Sequence, residues 1–428
     1  MNSLFRGAPG HWRTVRLRRT VGACITGTWG EEPRGGPDDL ICVRVADFDR
    51  MRGRVSLENP TFRFIPPSYR NRRMLARGDL LLEKSGGGEE QPVGSVVLYD
   101  HDAPAVSSNF IARMPVEPGF DGRYLCYLHA ALYCMGVNRR SIRQTTGIQN
   151  LDGKSYLDEE VRAPEMAEQQ QLADFLDTKT ALLDKLARKK QQLLDLLMER
   201  RDALISQVVT TGMNPAAPAP WKFTRFKFIR SGALFYGAGE PATSGDRGDP
   251  RYIRITDLND DGSLREETFT SLAETVAAPY LLEDGDILLA RSGATAGKAF
   301  RYRAEWGRAC FASYLIRLRP DRRKVLPDYL YYYTQSKAYR DQVRLNAIQS
   351  TIANVSAERY GNFTIPLPPL EEQQAIVAFL QRMTGAVDRL TAATLRQINR
   401  LHEYRASLIV EIITRGRAER ARAARRTL

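Results

Sequence analysis

The chain has 428 residues, 43% of them hydrophobic and 9% aromatic, with 22 prolines; this excludes intrinsic disorder and is too long for one ordinary domain. Lys and Arg number 63 against 50 Asp and Glu, giving a net charge of +13 and a pI near 9.6, so polyanions, with nucleic acid first, are the expected partners. Five cysteines without a CxxC pair and four histidines without zinc spacing argue against a metal module and point to reduced core thiols in a cytoplasmic protein.

From the start of the chain, Met1 to Arg19 has no apolar run after its basic residues, so a signal peptide is not expected, and no stretch approaches the length of a membrane span. Ile41–Ala46 and Asp79–Leu82 read as strands. Asn59-Pro60-Thr61-Phe62 is a poor match to an amino-methyltransferase motif, because the second proline and an upstream glycine-rich cofactor loop are missing. Arg63, Arg70, Arg72 and Arg73 surround Tyr69 in a basic and aromatic cluster. Asp79 with Glu83-Lys84 fails as a nuclease site, because the acid and the lysine are adjacent where one residue should separate them. No His or Cys has the partner pattern of a nucleophile, so neither a catalytic nor a metal residue is assigned.

Pro164–Gly212 follows without an internal Pro or Gly from Glu165 to Thr211, and reads as one helix of about 65–70 Å at about 1.5 Å per residue. Leu176, Leu183, Leu197 and Leu204 form a seven-residue seam, Leu172, Leu186 and Leu193 a second, and Gly212 sits at the C-cap. Asn214–Pro220 reads as a Pro/Ala linker. Beyond it, Ile253–Ile255 and Tyr314–Leu318 read as strands, and Pro327–Arg344 as one helix carrying tyrosines. Arg291-Ser292-Gly293-Ala294-Thr295-Ala296-Gly297-Lys298 follows an apolar strand but is not a phosphate loop: three residues, not four, separate its glycines, and Ala299 follows the lysine. Its small residues and basic ends suit close approach to DNA, with Lys298 on phosphate and Arg291 on a guanine edge. Arg301, Tyr302, Arg303 and Arg308 form the second basic and aromatic cluster. Pro368–Gly416 is again helical, with seams Leu380, Val387, Leu401, Leu408 and Ile376, Met383, Leu390.

The two halves repeat. Pro164–Gly212 aligns with Pro368–Gly416 at a constant offset of 204, matching Gln169-Gln170 with Gln373-Gln374 and Arg201 with Arg405. Upstream, Trp12 parallels Trp221, Val43–Asp47 parallels Ile253–Asp257, Gly78–Leu82 parallels Gly285–Leu289, and Asn150 and Tyr156 parallel Asn354 and Tyr360. The offset drifts from 210 to 204, as loops of unequal length require. Lys84-Ser85-Gly86-Gly87-Gly88 is the first-copy counterpart of the 291–298 loop. Arg44, Lys84 and Ser85, and Arg254, Arg291, Ser292, Gly293, Thr295 and Lys298, are therefore the candidate DNA contacts. The expected fold is α/β (α+β), mixed rather than a βαβ dinucleotide fold, ordered as domain 1–162, helix 163–212, linker 213–220, domain 221–367, helix 368–416 and basic tail 417–428.

Ile365-Pro366-Leu367-Pro368-Pro369-Leu370-Glu371-Glu372-Gln373-Gln374-Ala375-Ile376, together with Gly285–Leu288 and Arg291–Thr295, resembles the specificity subunit of type I restriction–modification systems over nearly the whole length. The first copy departs from the pattern: Arg162–Glu168 lacks the double proline, and Gly86–Gln91 reads as an insertion. The resemblance implies two target-recognition domains reading a split duplex site, and two long helices packed as an antiparallel coiled coil. It implies docking of methyltransferase subunits on that coil, with a motor-nuclease subunit joining through them. S-adenosylmethionine, and ATP with Mg, then belong to those partners, and this chain is not itself an enzyme. A recognition subunit of a modification-only or type II-like system, and a coiled-coil scaffold without base reading, are the alternatives.

Overall fold

A computed structural model describes residues 3–144, 147–214, 216, 220–241, 245–259, 262–347 and 354–416. The tail 417–428 and most of the Pro/Ala segment of the linker lie outside the described residues. The chain divides into two units, the first made of Met1–Lys190 with Arg396–Leu428 and the second of Gln191–Leu395. Each unit therefore contains one globular half, the segment of the long helix attached to it, and a segment of the other long helix.

In the first unit a six-stranded sheet runs in the order Ile25–Thr26, Ile111–Met114, Leu80–Glu83, Val96–Leu98, Arg54–Val55, Phe48–Asp49. Its centre is Leu80–Glu83, buried on both faces, which is why that strand reads as a continuous apolar run rather than an alternating one. Asp39–Val43 pairs parallel with Ala105–Ser107 and antiparallel with Phe62–Phe64. The expected strand to Ala46 stops earlier, because Asp47 draws the chain from Arg44 into a 3-10 turn. Helix Gly122–Cys134 starts at Asp121, whose carboxylate accepts the Arg123 and Tyr124 amides, and it buries Tyr124, Leu125 and Leu128 in the core.

His129 of that helix is wholly buried, 2.7 Å from the Tyr156 hydroxyl, and burial pushes its pKa from 6.5 down to about 4. Between those values the unfolded chain binds a proton that the folded chain refuses. Stability is therefore full above pH 6.5 and lost as the pH falls toward 4, by about 3 kcal/mol for this one group. His129→Gln should flatten the fall in urea midpoint between pH 7 and pH 5; parallel pH profiles for the two proteins would refute the assignment.

The second unit repeats the plan. Phe235–Tyr236, Leu315–Leu318, Ile287–Ala290 and Ala299–Arg301 form an antiparallel sheet, and Arg251–Ile253 pairs parallel with Ala309–Phe311. The expected single helix over 327–344 is two, Pro327–Thr334 and Lys337–Ala347, because the buried Ser336 caps a new start by accepting the Tyr339 amide at 3.2 Å. In both units the strand that enters the domain pairs antiparallel with the strand that leaves it: Arg13–Arg16 with Glu160–Ala163, and Lys222–Arg225 with Thr364–Leu367.

The long helices span Met166–Thr211 and Leu370–Arg415. Gly212 and Gly416 follow them in the left-handed region, at φ 91° and 73°, where a side chain would be strained. The matched glutamines, Gln169 and Gln373, anchor the starts of these helices. Gln169, fully buried, donates to the Pro164 and Gly119 carbonyls and accepts the Asp121 amide; Gln373 does the same with Pro368, Lys324 and Leu326. Each helix is thereby clamped at its root to its own domain. Trp12 and Trp221 add an indole bond to Glu168 and Glu372. The first copy's missing proline costs nothing in register, since the Glu165 carbonyl receives Gln169 as the Pro369 carbonyl receives Gln373.

Within the first unit Leu172, Ala173 and Leu176 share a core with Ile409, Ile412 and Ile413, and Asp184 meets Arg405 at 3.2 Å, so the helix segments run antiparallel. Within the second, Ile205, Val208 and Val209 share a core with Ile376 and Leu380, and Arg201 meets Asp388 at 3.1 Å, again antiparallel. The seven-residue seam is only partly what is buried. Leu176 and Leu380 are fully buried, but Leu183, Leu197, Leu204, Val387, Leu401 and Leu408 are half-buried. The reason is helical drift: eight turns of straight helix take about 29 residues rather than 28, so Ile205, not Leu204, returns under Leu176, and Ile409, not Leu408, under Leu380. The second seam is a correction: Leu172 and Ile376 are buried, but Leu186, Leu193 and Leu390 are exposed, as are Leu182 and Leu196.

All five cysteines are free. Among the described residues no helix is long and apolar enough to cross a membrane, and no cluster of His, Cys, Asp and Glu is arranged to hold a metal.

Candidate nucleic-acid interface

The Gly-Asp pair that opens each central strand is architecture. Gly285 turns the chain at φ 90°, and Asp286, nearly fully buried, accepts the Glu283 amide at 2.9 Å and two Arg319 donors at 2.8 Å each. Gly78, Asp79, the Ala76 amide and Arg113 repeat this arrangement. The Asp286 bonds hold the Arg319 guanidinium above its usual pKa. Glu83 is also structural: buried, it pairs with Arg50 at 2.8 Å, and burial pushes its pKa up despite that partner.

Arg44 and Arg254 occupy equivalent turns. Arg44 grips Asp47 through its Nε and Nη2 at 3.2 and 2.7 Å, and Arg254 grips Asp257 at 3.0 and 2.8 Å while also reaching the Thr268 carbonyl. Each pair spends one edge of the guanidinium fork on the protein, so what either arginine can offer DNA is its remaining edge. The basic clusters are dispersed in the same way. Arg63 pairs with Glu32 and lies over Trp29, Arg70 pairs with Asp38, Arg301 pairs with Asp328, and Tyr302 is core.

The loop 291–298 connects two antiparallel strands, Ile287–Ala290 and Ala299–Arg301. Gly297 is required because a Cβ there would lie 2.5 Å from the Val343 side chain, while Gly293, at φ 74°, faces open space. Lys298 and Ala294 are exposed; Thr295 turns its hydroxyl back to the Ser292 carbonyl at 3.4 Å. Arg291 lies over the Tyr236 ring at 4.9 Å, its amide bonds the Tyr314 carbonyl, and its carbonyl accepts the Val355 amide. Ser292 bridges antiparallel to Asn354.

The first copy builds the same corner. Lys84 donates its ammonium to the Thr26 hydroxyl at 2.8 Å, its amide bonds the Phe110 carbonyl, and its carbonyl accepts the Leu151 amide. Ser85 pairs with Asn150 in register and donates its hydroxyl to the Asn150 side-chain oxygen at 2.6 Å. Arg44, Ser85, Trp29 and Phe110 line one cleft of about 520 Å³. Thus Ser85 and Arg44 line one cleft beside Lys84, Arg291 and Ser292 share the second corner, and Arg254 occupies the turn equivalent to that of Arg44.

Two aromatic residues at these corners were missed. Phe110 is 44% and Tyr314 64% exposed, and they are equivalent, 204 positions apart, beside Lys84 and Arg291. A search for exposed-type residues at the repeat offset would have found them. Gly27 and Gly237 are another unnoticed pair: a Cβ on either would collide with the carbonyls of Ser107 and Phe311, at 2.0 and 2.2 Å.

Residues 229–400 match the type I restriction modification DNA specificity domain. The chain is 25% identical over 298 residues to the Type I restriction enzyme StySPI specificity subunit of Salmonella potsdam, covering 65% of this chain and 63% of that protein. It is 20% identical over 343 residues to the EcoBI specificity subunit of Escherichia coli, covering 74% and 71%. In fold it is similar to a chain solved in work on complex assembly and conformational transition of the type I R-M system, at TM-score 0.72 and 18% identity, with 96% of this chain and 99% of that one aligned. It is also similar to the HsdS subunit from Thermoanaerobacter tengcongensis, at TM-score 0.51 and 17% identity, with 96% and 98% aligned. Both long-helix and tandem-domain features recur in that fold. With these matches added to the duplicated domains and clamped helices, residues 229–400 carry the type I restriction modification DNA specificity domain, and the chain as a whole is similar to the specificity subunits of type I restriction–modification systems.

Proposed function

We propose that this chain reads a duplex DNA target in two halves, one per unit, and directs methyltransferase subunits, and through them a motor-nuclease subunit, to it. The observation that carries this reading is the duplication. Each unit holds the same parallel strand pair, the same Gly-Asp turn and the same glutamine clamp onto a long helix. Two copies of one domain, each rooted on stiff helix, suit two separated half-sites, whereas a single continuous site needs one reader. The net charge of +13 supports a polyanionic partner. The exposed leucines of the long helices, Leu186, Leu193 and Leu390, supply apolar surface for the methyltransferase subunits. Catalysis, S-adenosylmethionine, and ATP with Mg are assigned to those partners.

Exchanging residues 221–367 for the matching segment of another specificity subunit, in the assembled complex, is expected to change one half of the methylated sequence and keep the other. Methylome sequencing of cells carrying each version reads the result. A change in both halves, or in neither, would overturn the two-reader arrangement, and a scaffold without base reading predicts no sequence preference at all.

A further inference from the structure

The two corners carry the same set of groups. At each corner a cation is pinned beside an aromatic tip: Lys84 by Phe110, and Arg291 by Tyr314. The cation's side chain is steadied by the residue before a tightly packed glycine, Thr26 in one copy and Tyr236 in the other. A serine and an asparagine then face each other across a short strand pairing, Ser85 with Asn150 and Ser292 with Asn354.

The packing does not require this set. Phe110 and Tyr314 are 44% and 64% exposed, so neither fills a core, and Asn150 and Asn354 are exposed. Leaving a large aromatic ring in water at the same place in both copies forgoes burial that would stabilise the fold. The fold itself is held by other pairs, such as Asp79 with Arg113 and Asp286 with Arg319.

The chemistry fits a base edge. A cation and an amide offer hydrogen bonds in the pattern that major-groove edges present, and a phenyl or phenol ring offers apolar contact to a thymine methyl. The Ser85 hydroxyl, bonded to the Asn150 side-chain oxygen, fixes the orientation of that amide and leaves its NH₂ group directed away from the serine. The backbone bonds from the Lys84 and Arg291 amides to the aromatic residues' carbonyls fix the two backbones from which cation and ring project, while Thr26 and Tyr236 steady the cations.

We infer that Phe110 and Tyr314 are the specificity-determining tips of the two units, each contacting bases of its own half-site alongside Lys84 and Asn150, or Arg291 and Asn354. The inference rests on the DNA-reading function proposed above and names which side chains perform it.

The test uses the native complex recovered through a tag on the full-length chain, wild type or carrying Phe110→Ala or Tyr314→Ala, and a library of randomised DNA duplexes. Both side chains are exposed, and unchanged thermal unfolding would verify that the variants fold. The wild-type complex is expected to enrich a two-part motif. Phe110→Ala should lose base preference, by about tenfold or more, in one half of that motif, and Tyr314→Ala in the other half. Equal enrichment of the intact motif by both variants would overturn the inference and leave the function standing. So would uniform weakening on all sequences with the motif unchanged, which marks a backbone contact. A wild-type complex that enriches no motif would remove the DNA-reading function first, and the inference with it.

Discussion

Leu176→Asp is expected to unfold the unit that contains it, while Leu197→Asp leaves both units folded. Leu176 is fully buried among Leu172, Ile409, Ile412 and Ile413. Truncating a buried leucine costs about 2–5 kcal/mol, and an aspartate there adds an unpaired buried charge. That sum reaches the whole stability of a typical domain, about 5–15 kcal/mol. Leu197 lies on the same sequence seam but is half-buried, so its replacement should cost about 1 kcal/mol. Peptide-resolved hydrogen exchange separates the outcomes. Helix Gly122–Cys134 should lose protection in Leu176→Asp, and strand Ile287–Ala290, in the other unit, should keep it. Equal losses from the two substitutions would restore the simple seven-residue seam and refute the drift described here.

The second large effect is expected at Asp286. Its carboxylate is 1% exposed and satisfies the Glu283 amide and two donors of Arg319, whose side chain is itself 24% exposed. Asp286→Ala removes the buried partner, leaves the Glu283 amide without its acceptor, and leaves Arg319 with only the exposed Glu283 carboxylate and the Leu281 carbonyl. Breaking such a pair costs about 3–5 kcal/mol, even where the intact pair contributes little net stability. Asp286→Ala with Arg319→Leu should recover much of the loss, because the only charge then left behind, the Glu283 carboxylate, faces water. Urea unfolding of the three proteins measures it. A loss below about 1 kcal/mol for Asp286→Ala would mean that water reaches the arginine freely and that the Gly-Asp motif is not the keystone of its sheet.

Much of this architecture can be read from sequence because it is written twice. A constant offset of 204 across Pro164–Gly212 and Pro368–Gly416 reveals two long helices without any propensity argument. The capping glycines, the Gly-Asp turns and the entry glutamines stand at matched positions for the same reason. What stays hidden depends on three-dimensional distance. Nothing local distinguishes an arginine facing solvent from Arg44 and Arg254, each folded back on an aspartate three residues ahead. The Arg-x-x-Asp spacing is present in both copies, but only the turn makes it a pair. Gly27 and Gly237 look like loop residues until the carbonyls they admit are seen. The heptad seam misplaces Ile205 and Ile409 by one position because a 3.5-residue step is an approximation that fails over eight turns. The two corners are legible in part. Loop chemistry points to Lys84, Ser85, Arg291 and Ser292 as candidates, whereas Phe110 and Tyr314 lie about 25 residues away in sequence and come alongside only through strand pairing.

The first unit closes its core with Ile409, Ile412 and Ile413, and Gly416 comes against Pro9 and Trp12. A ribosome makes these partners far apart in time. While the nascent chain grows, Leu172 and Leu176 must wait, uncovered, until more than two hundred further residues have been joined. The second unit waits somewhat less, since Ile205 and Val209 meet Ile376 and Leu380 and nothing beyond Leu395 belongs to it. The half that is translated first is thus completed last, and a premature stop codon before Ile409 would strike the first unit although its globular half had already been made.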